Sequence, residues 1–329
     1  MPKLSISETY KVLESALRPL SYWYSQDDVE EVAVDHPGSI WLRLRGKREF
    51  PWQEQIDPKL TREYLNNILY IIANSYDYAF EPNEGTPVVY ATLPGGHRFT
   101  GISGRNVMYD NDDLTGGVAL AIRVYKEDTG VSFKDFRLEQ GERLRPLNKM
   151  TQVEDPDDPY DRLLLSIRKG EHILISGGTA TGKTTFLNNM IKLVDMHKRI
   201  LTIEDTRELI IPHKNRVHIV LPRTDQINGL TYPRVIDLVV RFTPDAIICG
   251  EISTSNASAV WELMGSGHDN CFATIHAENA EEAYKAFVAR IMRTTPTLDR
   301  DKTLREMHDK LRVVQINRNG NIRAVTNIT

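Results

Sequence analysis

Residues Gly177-Gly178-Thr179-Ala180-Thr181-Gly182-Lys183-Thr184, followed by Thr185, fit the pattern G-x-x-x-x-G-K-[ST] of a phosphate-binding loop. Before them stands His172-Ile173-Leu174-Ile175-Ser176, a short apolar run that reads as a strand. After them Phe186, Met190, Ile191 and Val194 recur at helical spacing, so Lys183 and Thr184 open a helix. Strand, glycine loop and helix in that order are the context the motif requires. Glycines let backbone N–H groups turn inward without a Cβ in the way, and the helix N-terminus adds partial positive charge. Gly178 to Thr185 would cradle a nucleotide's phosphates, with Lys183 on the β/γ-phosphates and the Thr184 hydroxyl on Mg²⁺.

Outward from the loop, strands alternate with helices from Tyr160 onward, the pattern of a parallel sheet covered on both faces. Strands are expected over 199–203, 217–221, 246–249 and 271–275, and helices over 229–240, 257–264, 280–291 and 304–311. Val313–Asn317 and Ile322–Thr326 read as a closing hairpin across Asn319-Gly320. The residues before the loop have a different texture. Ser5-Ile6-Ser7-Glu8 reads as a capping box for a helix that Pro19 ends. Strands follow at 29–35, 40–45, 88–93, 98–102 and 117–125, and Asp57-Pro58 opens a second helix. The predicted organisation is therefore α/β: a smaller α+β domain over 1–125, a linker over 126–156 ending in the acidic run Glu154–Pro159, and a phosphate-loop domain over 157–329.

With 329 residues the chain is long enough for two such domains. Its formal net charge of −4 argues against a dedicated nucleic-acid binder. Cys249 and Cys271 lie in apolar strand-like runs and indicate neither a disulfide framework nor a zinc site. No apolar run reaches the length of a membrane span, and the first residues do not read as a signal peptide.

Hydrolysis of a bound nucleotide needs an acid near the metal, a group to orient water and positive charge for the phosphoryl oxygens. Asp245–Cys249 is an apolar strand leading into Gly250-Glu251, which puts the Glu251 carboxylate at the carboxyl edge of the sheet beside the loop. The strand ending Thr202-Ile203 leads into Glu204-Asp205-Thr206-Arg207-Glu208, three carboxylates that suit a water-orienting base or form an exposed acidic loop. His268 and His276 bracket one strand, and His276 at its carboxyl end is placed to sense a γ-phosphate.

Taken in order, the four motifs beginning at Gly177, Thr202, Arg241 and Ser266 resemble the secretion-superfamily traffic ATPases, most closely the hexameric cytoplasmic ATPases of bacterial type IV secretion systems. Val29–Gly38, Leu93–Arg98 and Ala121–Arg123 resemble the N-terminal strands of that family. The resemblance implies a RecA-like phosphate-loop motor domain behind an α+β N-terminal domain, with ATP and Mg²⁺ bound between the two. It implies Glu204 as catalytic acid, Glu251 as the magnesium-side acid, and Arg98 and Arg123 as N-terminal arginines approaching the phosphates. It also implies a homo-hexamer working with other secretion ATPases and inner-membrane channel subunits. Such a ring would sit at the cytoplasmic face of the inner membrane, attached through partners, without sequence-specific nucleic acid. Alternatives on the same chemistry are a type IV pilus or type II secretion motor, a nucleic-acid-dependent ATPase, or a low-turnover nucleotide switch. Two departures stand out: Ser253 replaces the family's arginine after Gly-Glu-Ile, and Asp269-Asn270 replace small residues after His268.

Overall fold

A computed structural model of the chain describes residues 6–47, 51–83, 85–110, 116–127, 158–222 and 230–329. The side chains of the Ser5–Glu8 capping box, the expected linker from 128 to 156, and Gly229 lie outside the described residues. Two helices, α1 (Ile6–Tyr24) and α2 (Arg62–Ser75), pack on a six-stranded antiparallel sheet. Its strands are β1 (Val29–His36), β2 (Ser39–Leu44), β3 (Trp52–Ile56), β4 (Val88–Thr92), β5 (Arg98–Gly104) and β7 (Gly117–Arg123), in the order β3-β2-β1-β7-β5-β4. Pro19 does not end α1. An interior proline loses its N–H bond and crowds the carbonyl four residues back, at about 3 kcal/mol, and the burial of Leu17, Leu20 and Tyr24 on either side holds the helix through it. Helix α2 starts later than Asp57, because that carboxylate accepts from Trp23 Nε1 at 2.8 Å and from the Lys59 N–H; Thr61 caps the helix instead.

The second sheet has eight strands: β6 (Val107–Met108), β8 (His172–Ser176), β9 (Ile200–Glu204), β10 (Arg216–Val220), β11 (Ala246–Cys249), β12 (Cys271–Ile275), β13 (Leu311–Asn319) and β14 (Ile322–Ile328). Their order is β14-β13-β8-β12-β11-β9-β10-β6, with the six strands from β13 to β10 parallel and the two edges antiparallel. The central strands β8, β9, β11 and β12 are buried on both faces, which is why they read as continuous apolar runs. One face carries α3 (Pro159–Arg168) and α4 (Lys183–Met190), around Leu163, Leu187 and Met190. The other carries α5 (Tyr232–Arg241), α6 (Ala257–Gly265), α7 (Ala280–Thr294) and α8 (Arg300–Lys310), around Val239, Leu263 and Phe287. The last described part of the acidic run is no loose linker: Asp158 caps α3 and Pro159 takes its first turn. Among the described residues no helix is long and apolar enough to cross a membrane.

The two sheets are joined across their seam. Strand β6 leaves the first unit to become an edge of the second sheet, pairing Val107 with Ile219 and Met108 with His218. Nearby, Arg199 is fully buried, donating from Nε to the Phe242 carbonyl and from Nη1 to Asp35 Oδ2 at 2.8 Å. Its Nη2 stands 2.8 Å from Asp35 Oδ1, off the hydrogen-bond line. Burial pushes the Asp35 carboxyl above its ordinary value even beside that guanidinium. The pair therefore adds little net stability, while removing one partner costs about 3–5 kcal/mol.

Candidate nucleotide site

The loop is shaped by its neighbours. A Cβ on Gly177 would meet the Ile316 carbonyl oxygen at 2.4 Å, because β13 runs directly past it. Ala180 (φ 58°) and Gly182 (φ 98°) take left-handed backbone conformations, which turn successive N–H groups into a concave nest for an anion. The Thr181 hydroxyl donates to the Gly178 carbonyl at 3.0 Å, bracing the turn. The loop's Thr179 to Thr185 line a cleft of about 710 Å³, shared with Glu204, Asp205, Glu208, Glu251 and His276. Gly178 is not part of its lining. The cleft opens at the carboxyl ends of the parallel strands, where β12 is inserted between the loop strand β8 and the strand leading to Glu251.

Lys183 Nζ donates to the carbonyls of Gly177 (3.0 Å) and Gly178 (2.9 Å) and to His276 Nδ1 (3.1 Å). Lysine can only donate, so His276 accepts at Nδ1 and carries its proton on Nε2. That nitrogen stands 3.7 Å from Glu251 Oε1. Burial lowers the pKa of Lys183, with Glu251 opposing, and burial and then Lys183 lower that of His276. The imidazole is neutral and links the loop lysine to the carboxylate after β11. Asn256 pins that carboxylate's turn by donating to the Glu251 carbonyl at 2.8 Å. Burial lowers the pKa of Arg290 of α7, which sequence reasoning missed, with the nearby Glu251 opposing, and its Nη1 has no hydrogen-bond partner among the described residues.

Glu204 lines the cleft, but its carboxylate is already engaged by neighbouring groups. It is 2% exposed, and its oxygens accept from the Thr202 hydroxyl and the N–H groups of Glu208 and Leu209, each at 2.7 Å. Burial pushes its carboxyl up, but the bonds from His218, those two N–H groups and Thr202 outweigh it and hold the pKa below the ordinary carboxylate range. A carboxylate so well satisfied is a weak base. Arg207 Nη2 donates to His218 Nε2 (2.8 Å), which leaves the His218 proton on Nδ1 to donate to Thr202 Oγ1 (2.9 Å). One chain of donors thus runs from Arg207 through His218 and Thr202 to Glu204. Asp110, just beyond β6, accepts from Arg207 at 3.2 Å and pairs with Arg216.

Arg98 and Arg123 sit opposite each other across β5 and β7, exposed, and neither lines the cleft. Arg123 instead borders a separate cavity with Glu30, Glu31, Arg43 and Thr243. Within one chain the cleft is built from the second sheet alone, not between two domains. His268 is also outside it, since it precedes β12 and lies at the opposite sheet edge from His276.

Residues 136–294, just under half of the chain, match the family model described as type II/IV secretion system protein. The resemblance to the secretion ATPases stands. The type IV secretion system protein PtlH of Bordetella pertussis is 26% identical over 300 residues, covering 84% of this chain and 80% of that protein. Protein VirB11 of Agrobacterium fabrum is 25% identical over 309 residues, covering 90% and 86%. Among solved structures, the VirB11 ATPase from the Brucella suis type IV secretion system superposes with a TM-score of 0.82 at 22% identity, covering 98% of this chain and 96% of that one. The fold is that of a VirB11 ATPase, an α+β N-terminal domain before a RecA-like phosphate-loop domain.

Proposed function

We propose that the chain is an ATP-hydrolysing motor of a bacterial type IV secretion or conjugation system. The observation that carries the reading is the meeting of Gly182, Lys183, Thr184, His276 and Glu251 in one cleft at the carboxyl edge of a parallel sheet. The loop nest and Lys183 would hold the phosphates of ATP. Among the described residues no group of three or more His, Cys, Asp or Glu side chains is arranged to hold a metal alone. This fits Mg²⁺, which keeps few protein ligands: Thr184 and Glu251 would hold it together with the phosphate oxygens. When bound, the ion neutralises charge on those oxygens. Glu251, less buried than Glu204 and backed by His276, would orient the attacking water. Lys183, now folded onto its own carbonyls and His276, would exchange those acceptors for the γ-phosphate. His276, released from Lys183, would then report phosphate state to Glu251.

Arg98 and Arg123 have a part only if the N-terminal domain swings over the cleft, which would couple phosphate state to domain position. A homo-hexameric ring at the cytoplasmic face of the inner membrane, held there by channel subunits and other secretion ATPases, completes the proposal. It is tested by phosphate release from Mg-ATP per protomer across a wide range of protein concentration, with Lys183→Ala as control. A rate that climbs and saturates supports a site completed by assembly. Absence of release from a demonstrably assembled protein would reject hydrolysis.

A further inference from the structure

The C-terminal hairpin brings two cations, Arg318 and Arg323, to the phosphate loop. Strand β13 runs parallel to β8 as far as Gln315 beside Ser176, so its continuation crosses the loop that β8 feeds. The turn residues are Gly320-Asn321, one position later than expected, with Gly320 at φ 59° as a two-residue hairpin loop requires at its first position. This turn returns Arg323 directly opposite Arg318. Like charges facing each other across an antiparallel pair repel, and among the described residues no carboxylate pairs with either. Both lean on the loop. Arg318 Nη1 donates to the Ala180 carbonyl at 3.2 Å. Arg323 lies against Gly182, where a Cβ would meet its Cδ at 3.2 Å and its Nη1 at 3.4 Å.

Of the two, Arg323 lines the cleft. The carboxylates lining it are Glu204, Asp205, Glu208 and Glu251, and its permanent cations are Lys183 and Arg323. Lys183 is occupied by two carbonyls and His276, whereas Arg323 makes no hydrogen bond among the described residues. The geometry points to Arg323 as a phosphate-binding residue of this site, delivered by the C-terminal hairpin of the same chain, with Arg318 fixing the hairpin to the loop. The ligand class is a polyphosphate chain seated on Gly182 and Lys183. A planar fork of donors suits phosphate oxygens, and the anion removes the repulsion between the two arginines. This inference rests on the nucleotide reading above.

Calorimetric titration of ADP and of inorganic pyrophosphate into the full chain tests it, using wild type, Arg323→Gln, Arg323→Lys and Lys183→Ala, with thermal melts to show that each is folded. Arg323→Gln is expected to weaken both ligands by about tenfold to a hundredfold, the worth of a charge-assisted hydrogen bond. Arg323→Lys should recover part of the loss, keeping charge without the fork. Weakened ADP with unchanged pyrophosphate would put Arg323 on the base or ribose and overturn the assignment. Unchanged affinity for both, with Lys183→Ala impaired, would overturn it and leave the nucleotide site standing. A wild type that binds neither ligand would sink the nucleotide reading and this inference with it.

Discussion

Replacing His218 by glutamine is expected to remove a large part of the chain's sensitivity to mild acid. His218 is 2% exposed, and burial pushes its pKa down from 6.5 to about 4, outweighing the help of Glu204. The sign follows from where the proton goes. Between about pH 6.5 and pH 4 the unfolded chain binds a proton that the folded chain refuses, so stability is complete above 6.5 and falls as pH drops through that window. By pH 5 the loss from this one residue is about 2 kcal/mol, a substantial share of a domain's net stability. Glutamine offers a donor for Thr202 and an acceptor for Arg207 but does not titrate. Urea unfolding at pH 7.5, 6 and 5 reads the effect, and the comparison is of slopes, not of absolute stabilities. Burial also lowers the pKa of His213, His268 and His276, and these contribute alike to both proteins. The wild type should lose about 2 kcal/mol more than the variant between the extremes. Equal slopes would refute the neutral, buried His218 and the donor chain built on it.

Three further variants separate the cleft's carboxylates and the seam's role. Glu251→Gln should keep ADP binding while turnover falls about 10²–10⁴-fold. Glu204→Gln should keep measurable turnover but unfold about 2 kcal/mol earlier, since two charge-assisted backbone bonds become neutral ones. A Glu204→Gln protein of normal stability and no turnover would reverse the assignment. Cysteines at Val107 and Ile219, facing partners across β6 and β10, should cross-link the first unit to the second sheet on oxidation. Steady-state phosphate release should then stop and return with reductant, ADP binding being unchanged; undiminished release from the cross-linked protein would show that the seam need not open.

What could be read from the residues follows the range over which each signal acts. Strands β8, β11 and β12 match expectation because apolar runs bounded by Gly, Pro and charge carry their own limits. The loop and its Lys183 were legible for the same reason, as a motif contiguous in sequence. Strand β3 was missed, since Trp52-Gln53-Glu54-Gln55-Ile56 is polar and becomes a strand only as an edge partner of β2. The hydrogen bonds that engage Glu204 are not legible in sequence, because the convergence of Thr202, Arg207 and His218 on it needs β9 and β10 side by side. Arg323 is farther still from its motif: nothing in its neighbours says that β13 lies against β8, and that pairing alone brings it to Gly182.

The seam also sets which movement of the N-terminal unit costs least. At Asp35 and Arg199 both charges are buried, so separating them leaves two unpaired ions and costs several kcal/mol. At β6 the link is a two-residue ladder with Asn106 beside it, its Nδ2 donating to the Val220 carbonyl at 2.8 Å, and Asp110 there is about half exposed. Water can take over the partners of the exposed Asp110 carboxylate as soon as they part, so its ion pairs resist little, and what holds this end is the burial of Asn106, Val107 and Ile219. On charge alone, a swing of the unit would cost least about β1, with Asp35 and Arg199 still joined and β6 parting from β10. That peeling also withdraws Asp110 from Arg207, the first donor in the chain that holds Glu204. The end of the seam held by exposed charge is thus the end wired to the acidic loop of the cleft, and the Asp35–Arg199 end would be the pivot of such a swing.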